Sequence, residues 1–150
     1  TGPSVMRDDF NHPQAPAEAR PRDGWLKTGD LGYLDEDGFL FLADRAKDMI
    51  IRGGENIYPI EIENELLEHE AVKEVAAVGL PHERLGEEVA AVVHLHEGVS
   101  VTEQELIEFA RSRLAAYKVP SRVFIWEQEL PRNATNKLLK REIKAALLEN

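Results

Sequence analysis

Two adjacent glycines, Gly53 and Gly54, separate the apolar run Met49-Ile50-Ile51 from Asn56-Ile57-Tyr58. Glycine enters positive φ without steric cost, so Arg52-Gly53-Gly54-Glu55 reads as a tight hairpin turn. Pro59 follows at once and suits the first turn of a helix, which the spacing of Ile62, Leu66 and Leu67 carries to about His69. A strand pair that feeds directly into a helix points to a mixed fold.

The downstream pattern continues in that style. Val72 to Leu80 reads as a buried strand, and Val89 to Leu95 as a second that pairs with it. In the latter, Val89, Ala91, Val93 and Leu95 alternate with Ala90, Val92 and His94, as on a strand with unequal faces. Thr102-Glu103-Gln104-Glu105 is a capping-box sequence opening a helix with Leu106, Ile107, Ala110 and Leu114 on one face. Arg122 to Trp126 supplies another strand. From about Leu138 to Leu148 the period is again helical, with Leu139, Ile143, Ala146 and Leu147 inward and Lys140, Arg141 and Lys144 more exposed.

Upstream, Gly32 to Leu42 reads as a hairpin turning at Asp35-Glu36-Asp37-Gly38, and Asn11 to Asp23 as irregular or marginally helical. The charged break Asp44-Arg45-Ala46-Lys47-Asp48 marks a domain boundary. The expected fold class is therefore α+β: a short hairpin and a central sheet of about three strands flanked by helices.

With 150 residues, 43% hydrophobic and 31% charged, the chain has material for one modest core. A net charge of -10 argues against nucleic-acid binding, which needs clustered Lys and Arg. The lack of cysteine removes disulfides, thiolate metal sites and thiol nucleophiles, and fits a reducing cytoplasm. No apolar run approaches the roughly 20 residues of a membrane span. His12, His69, His82, His94 and His96 show no metal-ligand spacing, so packing or surface roles and no metal site are expected. The start, Thr1 to Met6, leads us to expect that the sequence continues a longer polypeptide.

Three segments in fixed order carry the chemistry: Gly24-Trp25-Leu26-Lys27-Thr28-Gly29-Asp30-Leu31-Gly32, Asp44 through Glu63, and Pro131-Arg132-Asn133-Ala134-Thr135-Asn136-Lys137. Together they closely resemble the adenylate-forming superfamily of acyl-CoA synthetases, peptide-synthetase adenylation domains and beetle luciferases, over essentially the whole chain. The resemblance implies a C-terminal piece of an enzyme that joins a carboxylate to CoA with ATP. The reaction passes through an acyl adenylate and releases pyrophosphate and AMP. It further implies that residues 1–44 end a large N-terminal domain, that 45–48 form a hinge, and that 49–150 form a small mobile cap domain serving the two half-reactions in two poses.

By the same resemblance Asp30 accepts hydrogen bonds from the ATP ribose hydroxyls, a task for a two-oxygen acceptor. A turn-capping role would suit it as well. Arg45 falls near the nucleotide ribose, or serves as an ion-pair partner. Lys47 falls at the pivot, where an exposed polar side chain tolerates a backbone dihedral change. Arg52, Gly53, Gly54, Glu55 and Asn56 resemble the loop that faces the site during thioester formation, and a plain hairpin turn would also explain the glycines. Lys137 matches the lysine of the segment Pro-x-x-x-x-Gly-Lys, whose charge neutralises the reacting phosphate. Asn136 stands where the family has glycine, and asparagine tolerates the left-handed conformation.

The middle segment looks more like bacterial fatty-acyl and related CoA ligases than peptide-synthetase domains. ATP and CoA are then substrates, with Mg2+ in the full-length enzyme. The expected partners are the chain's own N-terminal domain and a small carboxylate. Residues 1–150 alone are expected to be inactive and to hold no ligand tightly. The rival readings are an adenylation domain that passes its acyl group to a carrier protein, and a free-standing non-catalytic binding or regulatory module.

Overall fold

The computed structural model describes residues 25–149, and the segment Asn11 to Asp23 lies outside them. The chain divides into two compact units between Lys47 and Asp48. In the first, β1 (Asp30–Leu34) and β2 (Leu40–Arg45) form an antiparallel hairpin. Asp35 closes its turn by accepting the N–H of Phe39 on Oδ1 at 2.8 Å. The register slips between Leu31 and Gly32, where a Cβ on Gly32 would lie 2.5 Å from the carbonyl oxygen of Phe41. Only glycine fits that close approach. The charged break begins later than its composition suggests. Asp44 and Arg45 still pair with Leu31 and Asp30, and the chain leaves the ladder only at Ala46.

The second unit contains β3 (Ile50–Arg52), β4 (Glu55–Ile57), α1 (Pro59–Leu67), β5 (Val72–His82), β6 (Gly86–Leu95), α2 (Glu103–Arg111), β7 (Arg122–Trp126) and α3 (Lys140–Leu148). It is α+β. β5 and β6 form a long antiparallel pair from Val72↔Leu95 to His82↔Gly86, and β7 adds in parallel to β6. The glycine hairpin β3–β4 does not stand apart. Arg52 pairs with Gly86, so the expected three-strand sheet gains two strands and becomes five-stranded.

Period-2 alternation sends neighbouring residues of β5 and β6 to opposite faces, and both faces are covered. Val75, Ala77, Val89, Ala91 and Val93 pack with Ile62, Leu66, Leu106 and Ala110 of α1 and α2. Ala76, Val78, Ala90 and Val92 pack with Leu130 and Ile143 on the α3 side. The faces of β6 are therefore less unequal than its sequence suggests, because small residues on the second face leave room for α3.

Local signals explain the helix starts. Thr102 Oγ1 accepts the N–H of Glu105 at 3.2 Å, and Glu105 Oε2 accepts the N–H of Thr102 at 2.8 Å, a complete capping box. α1 has Pro59 in its first turn and no side-chain cap.

Candidate functional site

In the first unit the hairpin register sets Asp30 directly across from Arg45, and Arg45 Nε lies 3.2 Å from Asp30 Oδ1. Both side chains remain partly exposed. Thr28 Oγ1 accepts the N–H of Asp30 at 3.1 Å, which orients the backbone that carries the carboxylate. Two of the residues expected at a nucleotide are thus brought together, one acceptor and one cation. Lys47 is exposed in the turn that follows β2.

In the second unit the β3–β4 turn has both central residues at positive φ, Gly53 at 61° and Gly54 at 92°. That is the twist a two-residue hairpin requires. Gly53 donates its N–H to the carbonyl of Leu85 at 2.8 Å, and a Cβ there would meet Leu85 Cδ2 at 3.3 Å. A Cβ on Gly54 would meet nothing within 4 Å. The turn is therefore pinned on one side and open on the other. Glu87 reinforces it: Oε2 accepts the N–H of Ile51 at 3.0 Å while Oε1 pairs with Lys144 at 2.9 Å. Arg52 faces Glu88 at 3.6 Å, and Glu55 and Asn56 are exposed.

Lys137 sits on a clip formed by residues 131–139. The neck is closed by the N–H of Leu139 on the carbonyl of Pro131 at 2.9 Å and by a bridge between Arg132 and Leu138. Inside, Asn133 Oδ1 accepts the N–H groups of Thr135 and Lys137 at 3.0 and 2.9 Å. Asn136 has φ 63°, the one non-glycine residue at positive φ among the described residues. Asparagine thus adopts the conformation for which glycine is the usual choice. The Lys137 side chain is exposed and makes no ion pair with a described residue, so its charge is available to an incoming anion.

Both ends of the clip are tied to the sheet unit. Arg132 pairs with Glu74 at 2.8 Å. At the other end Lys140 Nζ lies 2.6 Å from Glu63 Oε1, which also accepts the N–H of Ala77 at 2.8 Å. Glu63 is the one buried charged residue among those described. Lys140 is therefore a partly buried anchor and departs from the exposed role its helical position suggests. Burial acts to raise the carboxyl pKa of Glu74. The N–H of Leu130 and the Arg132 guanidinium outweigh that and hold it below the usual carboxylate value.

These supporting residues carry no sequence signal, because Glu74 and Arg132 lie 58 positions apart and meet only in the folded chain. Two of the described histidines take structural roles. His94 Nδ1 lies 3.1 Å from the carbonyl of Trp126, which can only accept, so Nδ1 carries the proton. His69 meets Phe109 edge-on at 4.8 Å.

The family model for the AMP-binding enzyme C-terminal domain matches residues 61–137. The chain belongs to this family. Lys137 is the last residue of the match, while Asp30, Arg45 and the paired glycines precede it. The chain's relatives include CoA ligases. The chain is 50% identical to a long-chain-fatty-acid–CoA ligase of Bacillus subtilis over 99% of its own length and 26% of the relative's. It is 52% identical to a 2-succinylbenzoate–CoA ligase of Bacillus mycoides over 99% of its length and 30% of that protein.

Solved structures agree. An o-succinylbenzoate CoA synthetase from Bacillus subtilis, in complex with an acyl-adenylate intermediate, matches with a TM-score of 0.86 at 47% identity. That match covers 95% of this chain and 29% of the other. ATP-bound MatB from Rhodopseudomonas palustris matches with a TM-score of 0.88 at 35% identity, covering 97% and 29%. The chain thus spans between a quarter and a third of the proteins it resembles. Among the described residues no helix is long and apolar enough to cross a membrane, and no three His, Cys, Asp or Glu residues gather as metal ligands.

Proposed function

We propose that the chain is the mobile C-terminal cap of an ATP-dependent acid–thiol ligase and supplies one residue set to each of two half-reactions. The observation that carries this reading is Lys137, an exposed lysine with no ion-pair partner among the described residues, held at a fixed backbone geometry by a hydrogen-bonded clip. In the first half-reaction a carboxylate oxygen attacks the α-phosphorus of ATP and pyrophosphate leaves. Negative charge builds on the phosphoryl oxygens, and Lys137 offsets it. Asp30 accepts the ribose hydroxyls, and Arg45 holds that carboxylate in line.

In the second half-reaction the CoA thiol attacks the acyl carbonyl and AMP leaves. The open side of Gly54 leaves a path for a slender thiol arm, with Arg52, Glu55 and Asn56 around it. A change of pose pivots within 45–48, where Lys47 is exposed and its backbone lies in a turn. Mg2+ would arrive with the ATP phosphates. No cluster of three His, Cys, Asp or Glu among the described residues offers it a seat.

The exposed apolar side chains of the β1–β2 hairpin belong, on this reading, against a large N-terminal domain that ends with residues 1–44. The relatives act on a long-chain fatty acid or on 2-succinylbenzoate, so the substrate class proposed is an organic carboxylate, fatty-acyl acids included, used in the cytoplasm. The test is an ATP–pyrophosphate exchange assay of the complete polypeptide against a panel of carboxylic acids, followed by CoA addition. Acid-dependent exchange and CoA-dependent AMP release are expected. Absence of exchange with every acid, together with micromolar ATP binding by residues 1–150 alone, would instead identify a free-standing nucleotide-binding module.

A further inference from the structure

The clip that carries Lys137 is bonded more heavily than a surface turn needs to be, and the bonds converge on one peptide group. That group joins Asn136 to Lys137. Its N–H donates to Asn133 Oδ1 at 2.9 Å, and its carbonyl accepts from Arg132 Nη1 at 2.9 Å. Asn133 also donates its own N–H to the carbonyl of Lys137 at 2.9 Å. The peptide plane next to the lysine is therefore held at both ends, directly after a residue at φ 63° that a non-glycine backbone seldom occupies.

Arg132 reaches this carbonyl because its guanidinium is anchored on the opposite side. Nε and Nη2 both donate to Glu74 Oε1, at 3.1 and 2.8 Å. The second oxygen of Glu74 accepts the N–H of Leu130 at 3.0 Å, which ties the segment entering the clip to the same carboxylate. Glu74 lies on β5, the edge strand held to β6 by the long antiparallel ladder. One side chain thus runs from the rigid sheet to the peptide that aims Lys137.

We propose that Arg132, braced by Glu74, is a positioning residue that fixes the direction in which Lys137 enters the reaction; this rests on the reading of Lys137 given above. A planar fork with donors on separate edges can hold two acceptors in different directions. An ammonium at the same place can satisfy Glu74 but cannot keep the fixed fork to Asn136. Charge is then conserved in Arg132→Lys while the geometry is lost. Misplacement of a reacting group by an ångström costs up to about 100-fold in rate.

The experiment uses the complete ligase and measures both half-reactions for Arg132→Lys, Glu74→Gln, Lys137→Ala and the double variant R132K/K137A. Arg132→Lys is expected to lower kcat for adenylation by about 10- to 100-fold with KM for ATP changed less than about 3-fold. Thioester formation from supplied acyl adenylate should stay at the wild-type rate. Glu74→Gln should show the same selective loss, smaller in size, and guards against a defect peculiar to the lysine variant. The double variant should match Lys137→Ala alone, since a misaimed lysine and a missing one fail at the same step. Amide exchange at Lys137 should accelerate in Arg132→Lys while exchange in β5 and β6 stays unchanged.

Full adenylation in Arg132→Lys beside a crippled Lys137→Ala would overturn the positioning role and leave the lysine's role intact. An Arg132→Lys loss that multiplies with that of Lys137→Ala, or that falls equally on both half-reactions, would also overturn it. Wild-type adenylation in Lys137→Ala would remove the lysine from the chemistry, and the positioning role with it.

Discussion

The hairpin β1–β2 and the sheet unit that follows it use similar residues in opposite ways. In the hairpin, Leu34, Leu40 and Leu42 project to one face and Tyr33 and Phe41 stack on the other with ring centroids 5.2 Å apart. These apolar side chains remain from 46% exposed at Phe41 to 68% at Leu42. In the sheet unit the alternating residues of β5 and β6 are buried on both faces, with Ala76, Ala77, Val92 and Val93 at 0%. A two-stranded ribbon has no interior, whereas a five-stranded sheet between helices has two. The sheet unit therefore contains its own source of stability. The hairpin keeps its apolar side chains exposed.

The largest expected difference lies in backbone opening. Amide exchange measured by NMR should show β5 and β6 protected about 10³-fold or more beyond β1 and β2 in residues 1–150. Equal protection in both would break the comparison. Next in size is a pair of substitutions monitored by denaturant unfolding. Ile62→Ala removes a side chain at 0% exposure and should cost about 2–5 kcal/mol, while Leu40→Ser should stay within about 0.5 kcal/mol. If Leu40→Ser also destabilised by several kcal/mol, the hairpin would have a core of its own.

Smaller again, Asn136→Ala should cost about 1 kcal/mol, because alanine lacks asparagine's tolerance of φ 63°, and Asn136→Gly should restore or exceed the original stability. Thermal melting distinguishes the two. The smallest effect is acidic. The carboxyl pKa of Glu74 is held below the ordinary 4.5 in the folded chain, so its contribution is complete above that value and fades as pH falls through the lower folded one. Melting curves between about pH 5 and 3 should therefore flatten in Glu74→Gln, while Leu40→Ser should leave the slope unchanged.

The features legible in the sequence are those decided by neighbours along the chain. The paired glycines announced their turn, Thr102 and Glu105 their capping box, and Pro59 its helix start. Asn136 was readable too, because its neighbours Pro131 and Lys137 fixed the motif in which a left-handed residue was required. The attachment of β3 to β6 through Arg52 and Gly86 was not legible, since a single register pair 34 positions apart leaves no period to detect. Nor was the pairing of Glu63 with Lys140, whose helical position reads as exposed: the two lie 2.6 Å apart with Glu63 buried. In the candidate site the residues proposed to meet ligand stand in motifs readable along the chain, and the residues that hold them do not. Support from Glu74, Glu87 and Leu85 arises only when distant strands meet.

The proposed division of labour falls within one small domain, with Lys137 on a clip beside α3 and the paired glycines at the β3–β4 turn. Measuring both half-reactions in the complete ligase for Lys137→Ala and Gly54→Leu tests it most directly. Lys137→Ala is predicted to lower adenylation by about 10²-fold or more and to spare thioester formation from supplied acyl adenylate. Gly54→Leu is predicted to spare pyrophosphate exchange and to block the thiol step, since it fills the open side of a turn at φ 92°. Equal slowing of both steps by Lys137→Ala would contradict that division and make the lysine a general binding or structural residue.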